Sequence, residues 1–210
     1  MIRKKSAWVL IALLGACGTN PRKSNLPDDP EKLWGENGLK GPADFASLKT
    51  ESKRSIAYFE EVTKVFKHPR CANCHPSDGR PLQGDRQLTH RPPVHGGKDG
   101  KGVAALRCVS CHQTENQTGT VVPGAPGWHL APASMVFVGA STSEICHRIK
   151  DPKQNGGKSL EEVAHHVASD ALVAWGYAPG NEREPAPGSP RLAAALISAW
   201  INTGAVCPEK

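Results

Sequence analysis

The sequence predicts a mainly α, loop-rich domain of short helices, and three observations carry that expectation. Helix signals recur: one long stretch has apolar residues at helical spacing, and three later ones open on a recognisable cap. Glycine (21) and proline (18) approach a fifth of the 210 residues while only 38% are hydrophobic, so the core is modest for the length. A five-residue frame, C-x-x-C-H, occurs twice, at 71–75 and 108–112, and suggests that something other than apolar side chains fills the middle.

The first sixteen residues read as an export signal rather than as part of the fold. "MIRKK" is a basic start, and "SAWVLIALL" is an apolar run too short for a permanent membrane span. "LGAC" resembles a bacterial lipobox. That resemblance implies cleavage before Cys17 and diacylation of its sulfur, and acyl chains would hold the protein at a membrane surface. The same resemblance, with Gly18 rather than Asp after the cysteine, implies the outer membrane, facing the periplasm. The other reading is an ordinary secreted protein whose signal contains a cysteine. Losing Arg3, Lys4 and Lys5 takes the 26 basic residues to 23 against 20 acidic ones, a net +3, and leaves no basic block to bind nucleic acid. Residues 17–41, with Pro21, Pro27 and Pro30, read as the lipidated cysteine and a flexible tether, with Leu33 and Trp34 docking its far end. Residues 42–210 form the domain.

The pattern of Phe45, Leu48, Ile56, Phe59, Val62 and Phe66 predicts a helix over 42–67, weak at 50–54, running directly into the first cysteine frame. Short helical turns are expected at 72–75 and 105–112. Residues 76–102 and 113–139 read as irregular loop. Ser141 with Glu144, and Ser159 with Glu162, are capping boxes. Ser189-Pro190 is a cap with proline at the first helical position, and Gly204 ends the helix it opens.

Seven cysteines need assignment. Beyond Cys17 and the two frames, Cys146 and Cys207 remain, and an oxidising compartment favours a bridge between them. It would close a loop of roughly 60 residues, on the order of 3–4 kcal/mol in the chain-entropy model. The alternative is a free Cys146 acting with His147.

C-x-x-C-H is the attachment pattern of c-type haem. Two thiols one helical turn apart reach the two vinyl groups, and the following histidine lies under the ring as proximal ligand. A four-cysteine zinc site would not need those histidines, and nine His in 210 residues place one after both frames by chance in about 0.2% of cases. A thioredoxin-like dithiol would sit in a βαβ pattern that is not visible here. The expectation is therefore a cytochrome c-like domain with two covalently bound haem c groups, on Cys71, Cys74 and His75 and on Cys108, Cys111 and His112.

Each iron has a sixth position. Met135, the one methionine outside the signal, lies in a proline-rich loop 23 residues after His112 and is the expected ligand of the second haem, against the usual role of Met as core filler. For the first haem the order is His90, then His129, His166 and His68. His166 neighbours the apolar stripe of Val163 and Val167, where a packed histidine is the commoner outcome. His95 and His147 read as polar-contact residues. Arg70, Arg80 and Arg107 flank the frames and either hold haem propionates or are surface charge. Trp128, Trp175 and Trp200 read as haem-packing or core aromatics.

The chain resembles a group of small exported dihaem c-type cytochromes, often labelled isoquinoline 1-oxidoreductase-like subunits. The resemblance spans residues 66–208 and is carried by "HPRCANCHP", "RPLQGD", "LRCVSCHQTEN", "PGAPGWHLAP", "EICHRIKDPKQNGG", "DALVAWGYAPG", "REPAPG" and "WINTGAVCP". It implies partnership with a molybdenum hydroxylase whose electrons this chain would accept. The expected function is a membrane-anchored electron-transfer protein passing single electrons between redox proteins. The alternative is a peroxidase-like dihaem enzyme, with His90 or His129 near Glu115, or a haem-based sensor with one open iron site.

Overall fold

The computed structural model describes residues 38–209. The expected signal, the lipidation site Cys17 and almost all of the tether lie outside them. Within them the fold is mainly helical: six α-helices, two 3-10 turns and two minimal hairpins. None of these helices is long and apolar enough to cross a membrane.

Helix α1 (Glu51–Lys67) opens at Thr50, whose hydroxyl accepts from the Lys53 amide. The residue that weakens the sequence pattern is thus the cap. The expected unbroken helix from 42 is instead a 3-10 turn (Pro42–Phe45) followed by α1. At its other end α1 stops at His68, held extended (ψ 143°) by the proline that follows, because a residue before proline avoids the α region. Pro69 then starts α2 (Pro69–Ala72), which carries the first cysteine frame.

Residues 76–107 differ from the expected irregular loop and helical turn. Strands β1 (Leu82–Gln83) and β2 (Leu88–Thr89) pair antiparallel, as do β3 (Gly102–Val103) and β4 (Leu106–Arg107). A 3-10 turn (Cys108–Ser110) follows, so the second frame begins at the end of a hairpin rather than within a helix.

Helices α3 (Thr142–Lys150) and α4 (Leu160–Ser169) open on the reciprocal Ser141–Glu144 and Ser159–Glu162 boxes. Helix α6 (Pro190–Asn202) is capped by the Ser189 hydroxyl. Helix α5 (Ala171–Tyr177) was not expected. Asp170 closes α4 and opens α5, its carboxylate accepting from the Leu172 and Val173 amides.

The core forms where α1 packs across α6 and α6 across α4. Trp200 is fully buried, 4.8 Å from Phe59 between ring centres, and its indole donates to the Val206 carbonyl. Ser55 ties the same corner: its hydroxyl donates to the Trp200 carbonyl and accepts from the Val206 amide. Cys146 and Cys207 are bonded, with Cα atoms 5.7 Å apart, and fasten the last turn of chain to α3.

Trp200→Ala leaves a large cavity at this corner and should cost about 3–5 kcal/mol. Urea denaturation should show a lower midpoint with an unchanged slope.

Candidate functional site

The first frame lines a partly open cleft of about 180 Å³. The walls are mostly apolar: Val65 and Phe66 from α1, Val163 and Val167 from α4, Leu172 and Trp175 from α5. Cys71, Cys74 and His75 open into it.

His68 is placed outside the cleft's lining. Its Nδ1 accepts from the Arg70 amide and caps α2. From there the chain turns once: the Cys74 amide bonds the Cys71 carbonyl, and the His75 amide the Ala72 carbonyl. Cys71 and Cys74 are therefore a helical turn apart and both face the cleft. Burial pushes the Cys71 thiol up to about 12 and the Cys74 thiol to about 11.

His75 is gripped from two sides. Its Nδ1 donates to the Met135 carbonyl at 2.7 Å, and Phe137 stacks on its ring at 3.8 Å, nearly parallel. A carbonyl has no hydrogen to give, so the proton is on Nδ1 and Nε2 keeps its lone pair. Burial pushes the imidazole down to about 4, against the pull of the Met135 carbonyl, so it is neutral near pH 7.

The second frame repeats this grip. His112 Nδ1 donates to the Pro123 carbonyl at 2.8 Å, and Trp128 stacks on its ring at 4.4 Å. Burial lowers its basicity too. Gly124 makes the grip possible. The loop folds back so tightly that a Cβ there would sit 2.1 Å from the Glu115 carbonyl oxygen. Asn116 locks this loop to α5, accepting from the Gly124 amide and the Trp175 indole and donating to the Pro179 carbonyl.

The other expected residues fall in unexpected company. Met135, expected at the second frame, lines the cleft of the first and holds His75 through its backbone. His90, expected at the first, lies 5.9 Å from His112 between ring centres. His129 and His166 line the cleft with His75, and the Asp170 carboxylate faces His166 Nδ1 at 3.5 Å. Arg70 meets the Asp85 carboxylate and donates to the Glu184 carbonyl, while Arg107 pairs with Asp99 at 2.9 Å. Arg80, His95 and His147 are exposed.

Sequence reasoning missed Phe137, Asp170 and Tyr177. The Tyr177 hydroxyl is buried with no hydrogen-bond partner among the described residues and belongs to the cleft wall. Among the described residues no group of three or more His, Cys, Asp or Glu side chains converges to hold a bare metal ion. The residues do fit a group held by its edge: two thiols one turn apart, a neutral imidazole whose proton is on Nδ1, apolar walls and a buried hydroxyl with no partner among the described residues. Compared with known protein families, curated proteins and solved structures, the chain matches none.

In protein purified without any bound group, iodoacetamide at pH 8 should alkylate exposed Cys111 well before half-buried Cys71 and Cys74. The two raised thiols hold under 1% thiolate there, so their rates should keep climbing roughly tenfold per pH unit to about pH 10–11, read by mass spectrometry.

Proposed function

We propose that this chain is a periplasm-facing, membrane-anchored dihaem c-type cytochrome that passes single electrons between redox proteins. One observation carries the reading: in both copies of C-x-x-C-H the histidine gives its Nδ1 proton to a backbone carbonyl and keeps Nε2 as a lone pair. Metal-ligating histidines are oriented in this way by their outer partners. A four-cysteine zinc site or a redox dithiol gives no reason for two such histidines.

Cys71 and Cys74 with His75, and Cys108 and Cys111 with His112, would hold the two haems. Haem iron supplies one-electron chemistry when bound. The chain's own residues tune and shelter it. The Met135 and Pro123 carbonyls orient the imidazoles and raise their basicity as ligands. Phe137 and Trp128 fix the planes of those rings. The apolar wall of α1, α4 and α5 shields one side of the first site from water, and burial of this kind is one of the levers on potential. The Tyr177 hydroxyl and the Lys158 ammonium stand in the same cleft as donors for carboxylates. A lipid on Cys17 would confine exchange to partners at the same membrane, a molybdenum hydroxylase among them by the resemblance.

Pyridine haemochrome analysis of protein matured in an exporting, haem-competent host should give two c-type haems per chain. Cys108→Ala/Cys111→Ala should leave one. Zero haem in the parent protein ends this reading. A low-spin spectrum in both redox states, unmoved by cyanide or carbon monoxide, fits electron transfer. Stoichiometric carbon monoxide uptake replaces it with the enzyme or sensor reading.

A further inference from the structure

The first hairpin, β1–β2, is rooted in the first frame and leads to a residue that stands beside the second. Asn73, inside the first frame, holds its base: the Asn73 carbonyl accepts from the Leu82 amide and its side-chain amide donates to the Gly84 carbonyl. Strand β2 ends at Thr89, and the next residue is His90. The His90 amide donates to the Pro81 carbonyl, and the Arg91 amide to Gln83 Oε1 at 2.9 Å. The arm thus sets His90 beside His112.

The two rings are prepared alike. His90 Nδ1 donates to the Pro92 carbonyl at 2.9 Å, as His112 Nδ1 does to that of Pro123. Both acceptors are carbonyls, so each neutral ring has its proton on Nδ1 and a lone pair on Nε2. Their centroids are 5.9 Å apart and their planes cross at 61°. With metal–imidazole bonds of about 2.0–2.1 Å, two rings on opposite sides of one metal have centroids roughly 6 Å apart. Their crossing angle is unconstrained, because each ring turns about its own bond to the metal. Trp128 covers one face of His112 in a parallel stack and fixes the plane of that ring. Met135 does not compete for this place, since its carbonyl is bonded to His75 and its residue lines the first cleft.

We propose that His90 is the second axial ligand of the iron whose first ligand is His112, so that this centre is bis-imidazole. The inference rests on the dihaem reading. It pairs a ligand inside the second frame with one carried on the hairpin rooted in the first.

The test uses the haem-loaded protein. His90→Ala should turn one of the two haems from low to high spin in the ferric state, halving the low-spin signal in electron paramagnetic resonance. Added imidazole should restore it. In a Cys71→Ala/Cys74→Ala background, which retains the second haem alone, His90→Ala should turn all remaining haem high-spin. His90→Met, nearer in size, should keep that haem low-spin but create a near-infrared sulfur–iron band absent from the second haem of the parent. It carries the test where the alanine variant fails to accumulate. Two haems whose spin states ignore His90→Ala, or a second haem that shows the sulfur–iron band with His90 intact, overturn the ligand assignment and leave the dihaem reading standing. A parent protein with no covalent haem overturns both.

Discussion

The cleft hangs from the burial of Phe59 against Trp200. From that contact an aromatic line runs through the molecule: Trp200, Phe59, Phe66, Phe137 and His75, each ring within 6.2 Å of the next. Phe59 and Phe66 stand two turns apart on α1, so the helix is the rod that transmits position from the core to the first cysteine frame. Aromatic contacts beyond simple burial are worth about 0.5–1.5 kcal/mol each. Ser55 and the Cys146–Cys207 bond keep the far end of the line from sliding. An α1 that shifted against α6 would carry Cys71, Cys74 and His75 with it.

The two frames are served by one connected stretch of chain. Residues 123–128 give His112 a carbonyl and a stacked indole; residues 135–137 give His75 a carbonyl and a stacked phenyl ring. Each carbonyl, an acceptor-only group, decides the tautomer of the imidazole opposite it. Further bonds fix the stretch itself. The Ala131 amide meets the Cys74 carbonyl, Arg148 reaches the Val136 carbonyl, and the Ser134 hydroxyl that of Gln154. Trp128 also packs edge-on against Trp175, a wall of the first cleft, so the two sites share a boundary.

The helical frame was legible because caps are local. Ser141, Ser159 and Ser189 each meet a partner three residues on, within reach of a pattern. Helix α5 escaped because it is only seven residues long and its cap, Asp170, directly follows another helix. The hairpins escaped because two-residue strands carry no period. The cysteine frames and their histidines stood out by spacing alone, whereas the company of Met135 and His90 did not. Separation along the chain put Met135 with His112 and His90 with His75. The carbonyls that grip the imidazoles had no sequence signal, since every residue has one.

The grips on His75 and His112 span very different lengths of chain, 60 residues and 11. Closing the longer loop costs about 1.5 kcal/mol more in chain entropy. The second grip is local and can persist in a partly loosened domain, whereas the first opens whenever residues 131–137 lift away from the frame.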